Sequence, residues 1–241
     1  MIRKQHMNVS RLALLVILIA AGTAQGADLK VCECQACGCQ YLSIQEAINA
    51  SSPGDTVLVR SGTFHGNINL SKPIVLRGEH WHGGDIPLIN ADGNGSCITV
   101  TADGAVVESI VVTNSGNASG DAGIRVVSNE TTIRSNTARG NGGPGMILEG
   151  ARNCTLSGNI AANNSRGICL LRSSDNLLFN NKLYNNTEFD AFDEGQNRWD
   201  DGSRGNYYGS FNCTDEDNDT ICDLGFNISG GASFDAHPLV G

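Results

Sequence analysis

Aromatic side chains are scarce: the 241 residues hold two tryptophans, four tyrosines and seven phenylalanines. A sugar-binding face built on stacked tryptophan therefore has only Trp81 and Trp199 to draw on. Basic residues are also short, 16 Lys and Arg against 25 Asp and Glu, giving a net charge of -9 and a pI near 4.9. Nucleic acid is a poor partner for such a surface. Beyond residue 27 no apolar run is long enough to span a membrane. No stretch of the central chain sustains a 3.6-residue apolar period, which excludes helical repeats.

What is present instead is a repeat. Glycine followed by an apolar residue recurs as Gly123-Ile124, Gly145-Met146 and Gly167-Ile168. A second beat follows at Ile133, Leu156 and Phe179, with Asn136 and Asn159 keeping step, and a third at Asn141, Asn164 and Asn186. A unit of about 22 residues that cannot bury its apolar side alone must stack on its neighbours. The apolar runs alternate over two to four residues, and Gly, Asn and Ser punctuate them as tight turns require. Three short strands per coil describe a single-stranded parallel β-helix. The leucine-rich alternative lacks its leucine run. The recurrent asparagines are expected to stack as ladders that satisfy turn backbone.

Residues 1–27 differ from the rest. Arg3, Lys4 and Arg11 precede the apolar run Leu12–Ala21, and small residues follow. This is the pattern of a secretory signal, which predicts an exported chain with no membrane anchor after its removal. Asn-x-Ser/Thr triplets, from Asn49 to Asn227, offer glycosylation acceptors on such a chain.

Residues 28–40 hold Cys32, Cys34, Cys37 and Cys39. A thiolate metal site and local disulfides compete here; with no histidine nearby and export expected, disulfides are favoured. Pairings of the type Cys32–Cys37 or Cys34–Cys39 are expected. Cys213 and Cys222 look like a second staple around an acidic loop, 213–223. Within it Asp215, Asp217, Asp219, the Ile221 carbonyl and Asp223 match calcium-loop spacing, so Ca2+ in a structural role is the cofactor this loop suits. Thr220 stands where glycine usually makes the turn, and no glutamate occupies position 12.

Residues 41–56 are predicted to carry a short capping helix, with Ser43 and Glu46 as its capping box and Pro53-Gly54-Asp55 as its end. The run Ser43-Ile-Gln45-Glu-Ala47-Ile48, through Pro53-Gly-Asp55-Thr-Val57 to Gly62-Thr-Phe64, resembles the entry to the pectin-lyase-like superfamily of right-handed parallel β-helices. The tail, with Asn197-x-Trp199, Gly205-Asn206-Tyr207-Tyr208 and Asp235-x-His237-Pro238-Leu239, resembles the β-helix domain named after the periplasmic copper-binding accessory protein of nitrous-oxide reductase. The resemblance spans nearly all of 41–241 and implies an all-β, right-handed parallel β-helix with a short N-terminal capping helix. It further implies a surface protein of methane-producing archaea. With three methionines and His6 in the leader, there is little material for the copper chemistry in the family name.

For function, the outward columns run Arg125, Ile147, Cys169 and Val127, Glu149, Leu171, with Asp190 and Asp193 one coil further on. These charges look scattered rather than convergent. The expectation is a non-enzymatic, secreted cell-surface module, binding a glycan through Trp81, Arg125 and Glu149 or serving as an envelope component. The alternative is a polysaccharide lyase or glycoside hydrolase acting on an acidic glycan, with Arg125, Glu149 and Asp193 as its catalytic group. What separates them is whether the stack brings two acids, or an acid and a base, around one groove.

Overall fold

The computed structural model describes residues 26–241. The leader assigned to 1–27 lies outside the described residues except at its last two positions. The chain winds as a right-handed parallel β-helix whose coils contribute one strand to each of three parallel sheets, of eight, six and seven strands. One coil runs from Ile124–Val126 through Thr132–Arg134 to Thr137–Arg139, and the next repeats it at Pro144–Glu149, Thr155–Ser157 and Ile160–Ala162.

Register puts like residues above one another. On the six-stranded sheet Ile68, Ile98, Ile124, Met146, Ile168 and Ala191 form one inward column. Val107, Ile133, Leu156 and Leu178 do the same on the eight-stranded sheet, and Val112, Ala138, Ala161, Leu183 and Tyr208 on the seven-stranded one. All of these are buried. Each such aliphatic side chain stabilises the stack by roughly 1.5–3 kcal/mol.

At the corners the asparagines stack as expected, and further than expected. Asn136, Asn159, Asn181 and Asn206 form one ladder, Asn141, Asn164 and Asn186 a second, and Asn176 and Asn197 a third. In each step a side-chain oxygen accepts from the backbone N–H and the amide of the asparagine one coil earlier; for Asn136 to Asn159 these are 3.0 and 3.2 Å. The amide also donates to a carbonyl on the preceding coil, as Asn159 does to Ile133 at 2.8 Å. Every donor and acceptor of the buried corner is thereby used.

A ladder must stop somewhere, and its last amide then needs an acceptor that asks for nothing further. Each of the three ends on a buried aspartate: Asn206 on Asp235, Asn186 on Asp190, Asn197 on Asp193. A carboxyl oxygen accepts these donors and brings no amide of its own, so it closes the chain. The repeat glycines answer to the same corner. A Cβ on Gly123, Gly145 or Gly167 would fall 2.9, 2.7 or 3.0 Å from the amide nitrogen of Asn141, Asn164 or Asn186.

The N-terminal end is covered by the helix Ile44–Ala50, shorter than the sequence pattern proposed, with Ser43 accepting from the Glu46 N–H at 3.3 Å. The cysteine segment holds disulfides, but nested ones: Cys32–Cys39 and Cys34–Cys37. The crossed pairings expected from spacing are thus corrected. The short 3-10 turn Gln35–Cys37 folds the loop back, so the inner and outer cysteines meet in turn. Cys213–Cys222 forms as expected, while Cys97, Cys154 and Cys169 are free and buried.

Candidate functional site

On the outer side of the six-stranded sheet the alternation continues, and Arg125, Ile147, Cys169 and Phe192 lie in one column. Glu149 and Leu171 begin the next. On this face Ala122, Ile147 and Cys169 form a small buried cluster outside the main core, with Leu171 and Phe192 packed on them. Burial among apolar neighbours pushes the Cys169 thiol to about 12, which makes it a packing residue and no nucleophile.

Beside this patch lies a groove of about 450 Å³, walled by Asn117–Gly120 and Gly142–Pro144 and floored by Ile147 and Leu171. Glu149, Arg166 and Glu188 project into it. Arg125 grips Glu149 through Nε at 2.7 Å and Nη2 at 2.6 Å. One coil on, Arg166 grips Glu188 in the same way at 2.7 and 2.6 Å. Glu149 is largely shielded and Glu188 about half exposed. Two carboxylates and one guanidinium, those of Glu149, Glu188 and Arg166, thus line one cleft, and Arg125 pairs with Glu149 from outside that lining. The pairing of Arg166 with Glu188 carries no local signal in the sequence, since the two stand on successive coils.

Asp193 does not join them. It stands above Leu170 in an inward column, fully buried, and accepts from Gly195 N, Asn197 Nδ2, Trp199 Nε1 and Ser233 Oγ at 2.7–2.9 Å. A step of 22 from Leu171 would have set Asp193 outward beside Glu149. The coil from Arg166 to Phe189 takes 23 residues, and one residue of slip turns a side chain to the other face. Asp193 is a ladder terminus with four donors already on it.

Trp81 is likewise placed elsewhere, on the loop between Val75–Glu79 and Leu88–Asn90. The Arg60 guanidinium sits 3.3 Å over its ring, so one face is taken, and it is not brought together with Arg125 and Glu149.

The acidic loop gathers Asp215, Asp217 and Asp223, whose carboxylate oxygens all lie within 4.8 Å of one another, a group able to hold a metal ion. Asp219 is outside the group: its carboxylate accepts from Ile221 N at 2.7 Å. Asp215 accepts from the N–H of Asp219 and Thr220, which turns the loop around it. Thr220 has φ of 75°, the left-handed conformation that glycine adopts at this point of such loops. Cys213–Cys222 closes the base.

Together these features define a surface-grooved parallel β-helix. The family described as periplasmic copper-binding protein (NosD) matches residues 75–213, more than half of the chain, and the chain belongs to that family. No curated protein matches. Among solved structures the chain is similar to pectate lyase Pel9A, with 17% identity, 81% of this chain and 57% of that one covered, and a TM-score of 0.61. It is also similar to the pectin methylesterase of Aspergillus niger, at 11% identity, 80% and 70% coverage and a TM-score of 0.41. An alginate lyase of Paenibacillus sp. follows at 12% identity, 76% and 91% coverage and a TM-score of 0.39. The chain spans just over half the length of the pectate lyase.

The expectation of a non-enzymatic module is corrected here. The outward charges, expected to be scattered, meet at one cleft as Glu149, Arg166 and Glu188, which is the arrangement the enzyme alternative calls for.

Copper, by contrast, finds no fitting donor set among the described residues. Met146 is buried in the core, the cysteines are paired or singly buried, and His65 leans on Asp92 at 2.9 Å. The one group of three ligating side chains is all oxygen, which suits a hard cation rather than copper.

Proposed function

We propose that this chain is an exported enzyme that cleaves an acidic polysaccharide in the groove between Asn117–Gly120 and Glu188. The observation that carries the reading is the meeting of Glu149, Arg166 and Glu188 along one cleft, with Arg125 paired to Glu149 beside it. Arg166 uses one edge on Glu188, and its other edge is left to pair with a uronate carboxylate. Pairing that carboxylate acidifies the proton on the adjacent ring carbon. Glu188, the more exposed acid, is placed as the base that removes this proton. The electron pair left behind forms a carbon–carbon double bond as the neighbouring glycosidic C–O bond breaks, and the leaving oxygen takes its proton from water in the groove, while Glu149 holds Arg125 beside the site. Asp193 has no part in this.

The test is incubation of the exported chain with polygalacturonate and with alginate, following chain length and the ultraviolet absorbance of unsaturated uronides. Shortening with new absorbance is expected. Shortening with new reducing ends alone would assign hydrolysis instead, and intact polymer of both kinds would contradict the proposal.

The second part of the reading is that Asp215, Asp217 and Asp223 hold Ca2+ as a structural ion in a secreted protein, outside the cell or at its surface. Calcium at a hundredfold excess over its dissociation constant would add about 2.7 kcal/mol to stability. Thermal unfolding should therefore rise with calcium and fall with chelator, and Asp217→Asn should remove the dependence. Equal melting with and without chelator would argue against the ion. No helix among the described residues is long and apolar enough to cross a membrane.

A further inference from the structure

A second cavity, of about 580 Å³, lies on the seven-stranded sheet between the β-turn at Ser61–Thr63 and the loop 80–87. Its floor is apolar: Leu88 and Val111 are register neighbours on adjacent coils, and Ile86 adds to them. Its rim carries Asp85 and Arg139. Neither forms an ion pair or a side-chain hydrogen bond among the described residues, although both are exposed. Among the outward arginines, Arg77 and Arg134 both pair with Glu108, and Arg125 and Arg166 with their own glutamates, whereas Arg139, like the exposed Arg152, Arg172 and Arg198, makes no such pair.

The cavity is also held open before any ligand arrives. Arg60 is buried, donates to the Cys37 carbonyl at 3.2 Å and lies against Trp81, so the disulfide segment and the loop share one clasp. Trp81 N donates to Ser61 Oγ at 2.8 Å, Gly84 N to the Trp81 carbonyl at 2.9 Å, and Leu88 N to the Gly62 carbonyl at 2.9 Å. His80 Nδ1 meets the Gly84 carbonyl at 3.1 Å, which leaves its Nε2 for the cavity side. A rigid concavity with an apolar floor and unspent charged groups at its rim is the physical form of a small-ligand site.

We infer that this cavity binds a single carboxylate-bearing sugar, a free uronic acid or the end of a uronide chain. Arg139 pairs with its carboxylate. Leu88 and Val111 carry the less polar face of the ring, and Asp85 and His80 take hydroxyls. The site is on a different sheet from the Glu149 groove, so it is occupied independently of whatever the groove does. The inference does not depend on cleavage taking place.

The test is calorimetric titration of the exported chain with D-galacturonate, D-glucuronate and, as the uncharged control, D-glucose. Binding of a uronate but not glucose is expected. Arg139→Gln should weaken it about tenfold or more, because a charge-assisted pair is lost. Glu149→Gln should leave it unchanged, which separates this site from the groove. Arg139 is exposed, so its variant should unfold at the wild-type temperature, and a circular-dichroism melt checks that. Equal binding of glucose, binding lost in Glu149→Gln but kept in Arg139→Gln, or no uronate binding at all would each overturn the inference.

Discussion

The corners of the coil and its outer six-stranded face are made from the same repeat, yet they obey opposite rules. Along each corner ladder the side chain is asparagine on successive coils, and each asparagine is bonded to the next. On the outer face one column changes from arginine to isoleucine to cysteine to phenylalanine over four coils. Stacking energy selects identity between coils, because a ladder works only if every rung matches its neighbours. An outward position is free of that demand, so irregular charge there is available for chemistry. The contrast teaches where to look in such a chain: structure lies where the period holds, and the groove lies where it breaks.

The sharpest way to break the comparison is at a middle rung. Asn159→Ala removes the acceptor for Asn136 and the donor to Ile133 in a fully buried corner. At about 1–3 kcal/mol per stranded group, it should cost roughly 3–5 kcal/mol in a denaturant-unfolding experiment. An outer-face change such as Val127→Ala should cost well under that, and equal losses would erase the distinction.

A smaller effect tests why glycine keeps step with the ladder. Gly145→Ala places its Cβ 2.7 Å from Asn164 Nδ2, with the Gly167 carbonyl and Ala161 close behind, so the corner must shift. Overpacking of this kind costs about 1–3 kcal/mol. A melt unchanged from wild type would show that the glycine period has another origin.

The smallest effect is electrostatic and sits on the outside of the eight-stranded sheet. Burial raises the Glu108 carboxyl, but hydrogen bonds from Arg134 and Arg77 outweigh it and hold the group below its ordinary value of 4.5. A carboxyl depressed in the folded state adds stability above its unfolded value, and that stability is lost as pH falls through the folded value. Glu108→Gln should therefore lower stability at neutral pH and flatten the decline below about pH 4.5. Parallel pH profiles for variant and wild type would contradict this.

Much of the fold could be read from the chain because stacking forces it into the sequence. The three-strand coil, the outward columns Arg125-Ile147-Cys169 and Glu149-Leu171, and the ladder residues Asn136, Asn159, Asn141 and Asn164 all stand where periodicity put them, whereas Leu178, not Phe179, takes the place above Leu156 because the coil there is 22 residues and not 23. The third ladder, Asn176 with Asn197, was not legible, because it starts late and has only two rungs before Asp193 closes it. Asp193 itself was misplaced by one residue of drift in coil length. The salt bridge Arg166–Glu188 joins residues on successive coils, a relation that no local pattern announces. The nested disulfides depended on a short turn whose geometry spacing alone does not set.

The central claim is that the groove is catalytic while the corners only hold the coil together. It is tested most directly by Glu149→Gln and Glu188→Gln, each assayed for shortening of polygalacturonate and alginate and each melted beside wild type. The account predicts a loss of about a hundredfold or more in cleavage rate for Glu188→Gln with little change in melting, as expected when a proton-transfer group is removed, and a smaller loss for Glu149→Gln. Cleavage at the wild-type rate in both variants would contradict it.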